Sequence, residues 1–209
     1  MTTLPEVLEH ELKDLFSAES QLIKALPKMQ KAATTPELAQ AFETHLAQTK
    51  EQRARLQEVG KLLDINLGGH TCKAMQGLIE EGQEIVEEFD PSPARDAALI
   101  AAAQRVEHYE ISAYGCARAL AKALGHAEVA ALLDTTLQEE GDTDKLLTDI
   151  SLNNVVPASL NGESNGAPAM SRSELESKTR DALYQLAQER EIEGRSQMDK
   201  AQLIEALAE

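Results

Sequence analysis

The sequence predicts an all-α fold: a bundle of four long helices with a small helical module tethered behind it. Three observations carry that expectation. Ala, Leu, Glu, Gln and Lys, all strong helix formers, dominate the chain, and β-branched runs are scarce. Aromatic residues make up only 3% and Trp is absent, so the core must be built from Leu, Ala, Ile and Val. Apolar residues also recur at alternating steps of three and four over stretches far longer than a strand. With 209 residues the chain can hold one sizeable domain and one small appendage.

Thr3, Pro5 and Glu6 mark the start of the first helix, because a hydroxyl can cap free amides and Pro fits the first turn. This helix is expected to reach about Ala32, with a kink or an early end near Pro27. Thr35-Pro36-Glu37 repeats the start signal for a second helix, which reaches about Asp64 before Gly68-Gly69. A shorter amphipathic stretch from Thr71 to Phe89 reads as a crossover helix, closed by Asp90-Pro91-Ser92-Pro93. Two more long helices follow, Ala94 to Leu124 and Ala127 to Asn153, and the tight turn at Gly125 makes them antiparallel neighbours. Val156 to Met170 is rich in Pro, Gly, Asn and Ser and lacks periodicity, so it is expected to be a flexible linker. Ser171 to Glu209 then returns to helical patterning. The domains expected are therefore a bundle over 1–155, a linker over 156–170 and a module over 171–209. Two helical hairpins joined by one long crossover is the ferritin-like arrangement of a four-helix bundle.

Charge and cysteine usage narrow the function classes. A net charge of −16 repels a phosphate backbone, and no basic patch stands out to offset it. Cys72 and Cys116 are too few and too far apart for a disulfide framework or a CxxC motif, which fits a reducing cytoplasm. The first residues lack the basic and apolar regions of a signal peptide, and no apolar run approaches the roughly 20 residues of a membrane span. A cytoplasmic protein without a membrane partner is expected.

The inward stripes are interrupted by polar residues at one level. Leu8, Leu12, Leu15, Glu19, Leu22, Leu26 and Met29 form the stripe of the first helix, with Glu19 midway. The second helix presents Leu38, Phe42, His45, Thr49, Gln52, Leu56, Val59 and Leu63, again polar at its centre. Val129, Leu133, Thr136, Glu140, Thr143, Leu147 and Ile150 place Glu140 halfway along the last long helix. In the Ala-rich fourth helix, Glu107 and Glu110 lie three apart near the midpoint.

Any one of these acids, taken alone, reads as a rim residue or an ion-pair partner. Agreement between helices reverses that reading. An ionised carboxylate in an apolar interior costs several kcal/mol, so several at one depth require a compensating cation. Hard oxygen donors with a few imidazoles suit iron or manganese. The expected metal ligands are Glu19, His45, Glu107, Glu110 and Glu140, with Asp144, one turn after Glu140, as a further ligand or supporting acceptor. Tyr109 and Tyr114 flank the acids, where a phenol can orient a ligand or, more simply, pack, and His108 reads as outward-facing.

Asp14-Leu15-Phe16-Ser17-Ala18-Glu19-Ser20-Gln21-Leu22, Val106-Glu107-His108-Tyr109-Glu110-Ile111 and Thr136-Leu137-Gln138-Glu139-Glu140 before Asp144 resemble the YciE/YciF-like ferritin-like proteins of bacteria. The resemblance covers about Leu4 to Val155. It implies a bundle that is usually dimeric, a dinuclear iron or manganese site, and an association with bacterial stress. Iron oxidation or peroxide disproportionation is the chemistry it implies, with ferrous iron, dioxygen or peroxide as substrate. The Glu-x-x-His pairs of ferritins are absent, and His45-Leu46-Ala47-Gln48-Thr49 stands where relatives read His-Leu-Glu-Glu-Thr. That departure puts the second metal position in doubt, or leaves it to His45 and an amide oxygen of Gln48 or Gln52. A bundle without metals, serving as a dimeric scaffold for the C-terminal module, is the competing reading.

The tail, notably Leu183-Tyr184-Gln185-Leu186-Ala187 and the stretch from Ile192 to Ile204, resembles the small N-terminal module of Rho termination factor and SAP-like domains. Such modules often touch nucleic acid. Here six basic residues face nine acidic ones from Ser171 onward, which argues against tight phosphate binding and leaves protein interaction as the plainer role. A homodimer or larger homo-oligomer is the expected assembly.

Overall fold

The computed structural model describes residues 1–163, 175, 177–189, 192 and 194–208. The chain divides into two compact units, Met1–Val156 and Pro157–Glu209. Among the described residues the regular structure is helical throughout, and no helix is long and apolar enough to cross a membrane.

Five helices build the first unit: α1 (Leu4–Ala32), α2 (Pro36–Leu62), α3 (Lys73–Glu88), α4 (Pro93–Ala123) and α5 (Ala127–Ile150). At the start of α1 Thr3 and Glu6 form a reciprocal capping box, as the start signal predicts. Glu6 folds back and accepts from the Thr3 amide at 2.7 Å and from the Thr3 hydroxyl at 3.0 Å, placing its charge at the positive end of the helix. Helix α1 continues through Pro27 to Ala32, so the proline neither ends it nor shortens it. Helix α2 stops at Leu62, where Asp64 turns left-handed (φ 55°) and the Ile65 amide donates back to the Gly60 carbonyl at 2.8 Å.

The start of α2 is tied to α4 by a buried acid. Asp96 accepts from the Thr34 and Thr35 amides (3.0 and 2.6 Å) and from the Thr34 hydroxyl (2.8 Å). Beside it, the Arg95 guanidinium donates to the Ala32 carbonyl at the other side of the same turn. Ser92 caps α4 through the Arg95 amide, and the Cys72 thiol does the same for α3 through the Met75 amide.

Helices α1 and α2 form one antiparallel hairpin and α4 and α5 the other, closed on each other through α2–α5 and α1–α4. The crossover helix α3 lies over α1 and α4. The apolar interior falls into two clusters. Ala18, Leu22, Leu26, Leu38, Phe42, Leu99, Ile100 and Leu147 belong to one, while Leu8, Leu12, Leu15, Leu56, Val59, Tyr114 and Leu133 belong to the other. The chain order shows what parts them: on each of the four long helices the switch from one cluster to the other falls at a buried polar stretch holding Glu19, His45, Glu107 and Glu110, or Glu140.

Beyond α5 the structure departs from the expected linker. Ser151–Val155 forms a π turn and Val156–Glu163 a further helix, α6. A wider turn directly before Pro157 suits a residue that has no N–H to return to the preceding turn. Residues 164–170 of the expected linker lie outside the described residues.

In the second unit, α7 (Arg180–Glu189) and α8 (Lys200–Ala208) are joined by a 3₁₀ turn at Arg195–Gln197. Leu175, Leu183, Ala187, Leu203, Ile204 and Leu207 form its core. Gly194 takes φ 75° ahead of the 3₁₀ turn, a conformation glycine adopts without strain. Asp199 and Gln202 cap α8 reciprocally, each side chain accepting the other's amide at 2.9 Å.

Candidate metal centre

Four helices deliver acids and one imidazole to mid-bundle because each continues an inward stripe whose two ends are apolar. His45 from α2, Glu107 and Glu110 from α4 and Glu140 from α5 each offer a donor atom, and those atoms all lie within 4.8 Å of one another. All four residues are buried, as is Glu19 from α1, which is 0% exposed.

The donors are oriented by what surrounds them. Tyr114 is fully buried and its hydroxyl donates to Glu19 Oε1, which fixes that carboxylate. The Thr143 hydroxyl donates to the Glu139 carbonyl at 3.1 Å and lies 3.5 Å from His45 Nδ1, so it is placed to accept the ring's Nδ1–H. That tautomer leaves the lone pair on Nε2, which lies 3.3 Å from Glu107 and 4.0 Å from Glu140. These short approaches are not ion pairs, because burial drives the His45 pKa down to about 4 and the ring is neutral at neutral pH.

Burial also pushes the carboxyls up. Glu19 and Glu107 lie well above the usual carboxylate range, through burial first and the Glu140 charge second; for Glu110 the charge of Glu19 follows burial. Glu140 is raised to about 7, mainly by burial, with the neighbouring Glu107 carboxyl opposing the shift. In an interior without a cation, burial thus favours the protonated form of these groups, and Glu140 is half-protonated near neutral pH.

Whether the residues suit a cation is answered by their unpaired atoms. Glu19 Oε2, His45 Nε2, Glu107 Oε2, Glu110 Oε1 and both oxygens of Glu140 are buried and lack a hydrogen-bond partner. Buried polar atoms are ordinarily paired, so five on the four clustered residues, with a sixth on Glu19, which stands outside that close group, mark a place built for something that accepts lone pairs. An anionic oxygen set with one neutral imidazole fits a hard or intermediate divalent cation. This buried His/Glu cluster could hold a metal ion.

Asp144 is not brought into the group. Its carboxylate accepts from Gln104 at 3.0 Å and lies 3.3 Å from the solvent-facing His108, on the outer side of the α4–α5 seam. Nor does Gln52 turn its amide group solely to the cluster, since its nitrogen donates to Glu139 at 3.1 Å. Gln48, three residues after His45, is half-buried.

Of the two roles open to the tyrosines, Tyr114 takes the orienting one, as a hydrogen-bond donor to Glu19, and Tyr109 donates to Asp14 and touches the Cys72 sulfur at 3.1 Å. Other participants had no such signal. Arg55 forms a two-pronged pair with Glu139, both contacts at 3.0 Å, and also donates to Thr136, bracing α2 against α5 beside Glu140. A basic residue on the half-buried side of α2 and an acid adjoining Glu140 were the only sequence signals for that brace.

Two antiparallel hairpins, a long crossover and a mid-height layer of convergent carboxylates define the class of ferritin-like four-helix proteins. Within that class the chain belongs to the family described as "Domain of unknown function (DUF892)", whose model matches residues 3–159. Residues 174–209 match the model of the N-terminal domain of Rho termination factor. Protein YciF of Escherichia coli (strain K12) is 46% identical over 156 residues, covering 74% of this chain and 94% of that protein. The crystal structure of the E. coli stress protein YciF superposes with a TM-score of 0.72 at 46% identity, over 75% of this chain and 99% of that one. YcfI from Rhodopseudomonas palustris gives a TM-score of 0.68 at 41% identity, over 70% of this chain and 94% of that one.

Proposed function

We propose that this protein is a dinuclear-metal protein of bacterial stress protection, holding iron or manganese through Glu19, His45, Glu107, Glu110 and Glu140. One observation carries the reading: buried, unpaired carboxylate oxygens and an imidazole lone pair converge from facing helices. Four carboxylates carry the charge that two divalent cations would balance. Likeness to a stress protein supports the physiological setting.

Bound iron or manganese would supply redox change and Lewis acidity toward ferrous iron, dioxygen or peroxide. The chain's own part is narrower. Tyr114 holds Glu19 in position, Thr143 selects the His45 tautomer, and the Arg55–Glu139 pair keeps a competing positive charge outside the cluster. The apolar clusters on either side exclude water and strengthen every electrostatic contact between them.

Metal analysis of protein purified without chelator, compared with a Glu19→Ala/Glu140→Ala variant, tests the assignment. Iron or manganese is expected in the parent and at most a small fraction of it in the variant. Equal content in both refutes the proposed ligands. A second reading, a metal-free scaffold presenting the C-terminal module, is favoured by half-buried Gln48, a neutral amide three residues after His45 where a carboxylate would add charge.

A further inference from the structure

A cavity of about 180 Å³ lies in the seam between α1 and α4, under the crossover helix α3. Its walls are aliphatic, with Leu22, Leu26 and Met29 from α1, Ile79 and Val86 from α3, and Phe42 as the sole aromatic side chain. The two ends differ. Buried His45 and Glu107 of the carboxylate cluster form the inner end, while exposed Lys28 and Glu87 and half-buried Gln83 form the outer one.

We propose that this cavity is a binding chamber for an aliphatic chain of about six to eight carbons, carrying its polar end at the Lys28 and Gln83 mouth and its apolar end against His45 and Glu107. Size sets the class: an engineered apolar cavity of about 150 Å³ stays dry and accepts benzene, so this one takes a molecule of similar or slightly greater bulk. A single diatomic gas would leave most of it unfilled. Wall chemistry excludes the polar candidates, since peroxide or a hydrated ferrous ion needs several hydrogen-bond partners and the middle of the chamber has none to offer. Leu, Ile, Val and Met walls, with one ring only, suit a flexible chain better than a stacked aromatic.

The position of the chamber gives it meaning. It ends on two of the proposed metal donors, so a chain seated there would bring its carbon terminus to the cluster through a route that admits apolar molecules. This consequence for substrate class rests on the metal-centre reading, whereas occupancy of the chamber does not. Gly82 of α3 lies where the chamber can be closed, because a Cβ built there would stand 3.6 Å from the Met29 methyl and 4.0 Å from the Ala102 methyl, leaving a longer side chain to occupy the cavity.

Isothermal titration calorimetry on the full chain, metal-free and manganese-loaded, with 1-octanol as ligand and glycerol as polar control, tests the proposal. Saturable binding of one octanol per chain is expected in both forms and none for glycerol. Gly82→Leu, or Ala103→Leu if the first variant loses its helical circular dichroism, should weaken octanol binding at least tenfold with manganese per chain unchanged. Absence of saturable octanol binding to the folded parent, or equal affinity in parent and folded cavity-filled variants, overturns the chamber. Manganese measured on the same samples separates the two ideas: octanol binding without metal refutes the metal centre alone, and metal without octanol binding refutes the chamber alone.

Discussion

Removing metal should leave a protein whose stability falls as pH rises, and the structure fixes both sign and window. The perturbation is chelation followed by dialysis, then thermal melts from pH 5 to 8.5 with and without manganese. Glu140 in the fold titrates at about 7 against an ordinary 4.5, so the folded chain keeps a proton that the unfolded chain has released. Its contribution is fully present below about 4.5 and is lost as pH climbs through about 7, a difference of about 3 kcal/mol at roughly 1.4 kcal/mol per pKa unit.

His45 works in the opposite sense. Depressed to about 4 from 6.5, it favours the fold increasingly as pH rises through that interval, by a similar amount, and so cancels Glu140 there. Glu19, Glu107 and Glu110 are raised as well and remain unopposed, so the net slope is downward and becomes steeper above about 6.5. Each carboxyl still protonated in that range adds roughly 1.4 kcal/mol per pH unit, and 1 kcal/mol moves the midpoint of a domain this size by about 2–4 °C. Metal-free protein should therefore lose about 1–3 °C in Tm between pH 6.5 and 7.5 from Glu140 alone, which is half-ionised near 7, and more for each further carboxyl that ionises there, while manganese-loaded protein, with the carboxylates ionised against a cation, stays nearly level. A flat or rising Tm in the metal-free form over that interval would refute the account of a mutually repelling carboxyl layer.

Three further outcomes follow from individual contacts. Tyr114→Phe should destabilise the metal-free fold by about 1–3 kcal/mol in urea unfolding, since it strips Glu19 of its hydrogen-bond donor, and the cost should shrink once metal is bound. Asp96→Ala should cost about 2–3 kcal/mol, because the amides of Thr34 and Thr35 lose a shared charged acceptor at the head of α2. A chain ending at Val156 should retain the full metal content of the parent and show the same retardation of duplex DNA at low salt, the second unit being too acidic to hold phosphate; stronger DNA binding by the full chain would contradict this.

The period of three and four made Glu19 and Glu140 legible, because a charged residue on a Leu stripe has nowhere to point but inward. Glu107 and Glu110 sit on an Ala-rich helix whose stripe is weak, yet a spacing of three still places both on one face. Asp144 shows the limit of that arithmetic. A step of four advances roughly 40° beyond a full turn, enough on α5 to carry its carboxylate from the interior to Gln104 at the seam. The choice between the two roles of Tyr114 stayed open because its partner Glu19 is 95 positions away, and a phenol on an inner stripe is indistinguishable from a packing residue until tertiary structure supplies the acceptor. The same holds for Asp96, whose role depends on the turn between α1 and α2 folding onto α4. The helical continuation to Glu163 was obscured by Pro157, Asn161 and Gly162, poor helix formers that composition assigns to a loop.

The acidic layer between the two greasy halves also constrains how such a molecule could be remade. Exchanging one Glu for Leu, close to it in volume, would relieve part of the like charge yet leave the remaining acids buried, and only concerted replacement on α1, α4 and α5 would convert the layer into ordinary core. A designer wishing to erase the centre would have to redesign the whole cross-section at once, and one wishing to retune it has the surrounding hydroxyls and the Arg55 brace as the gentler handles.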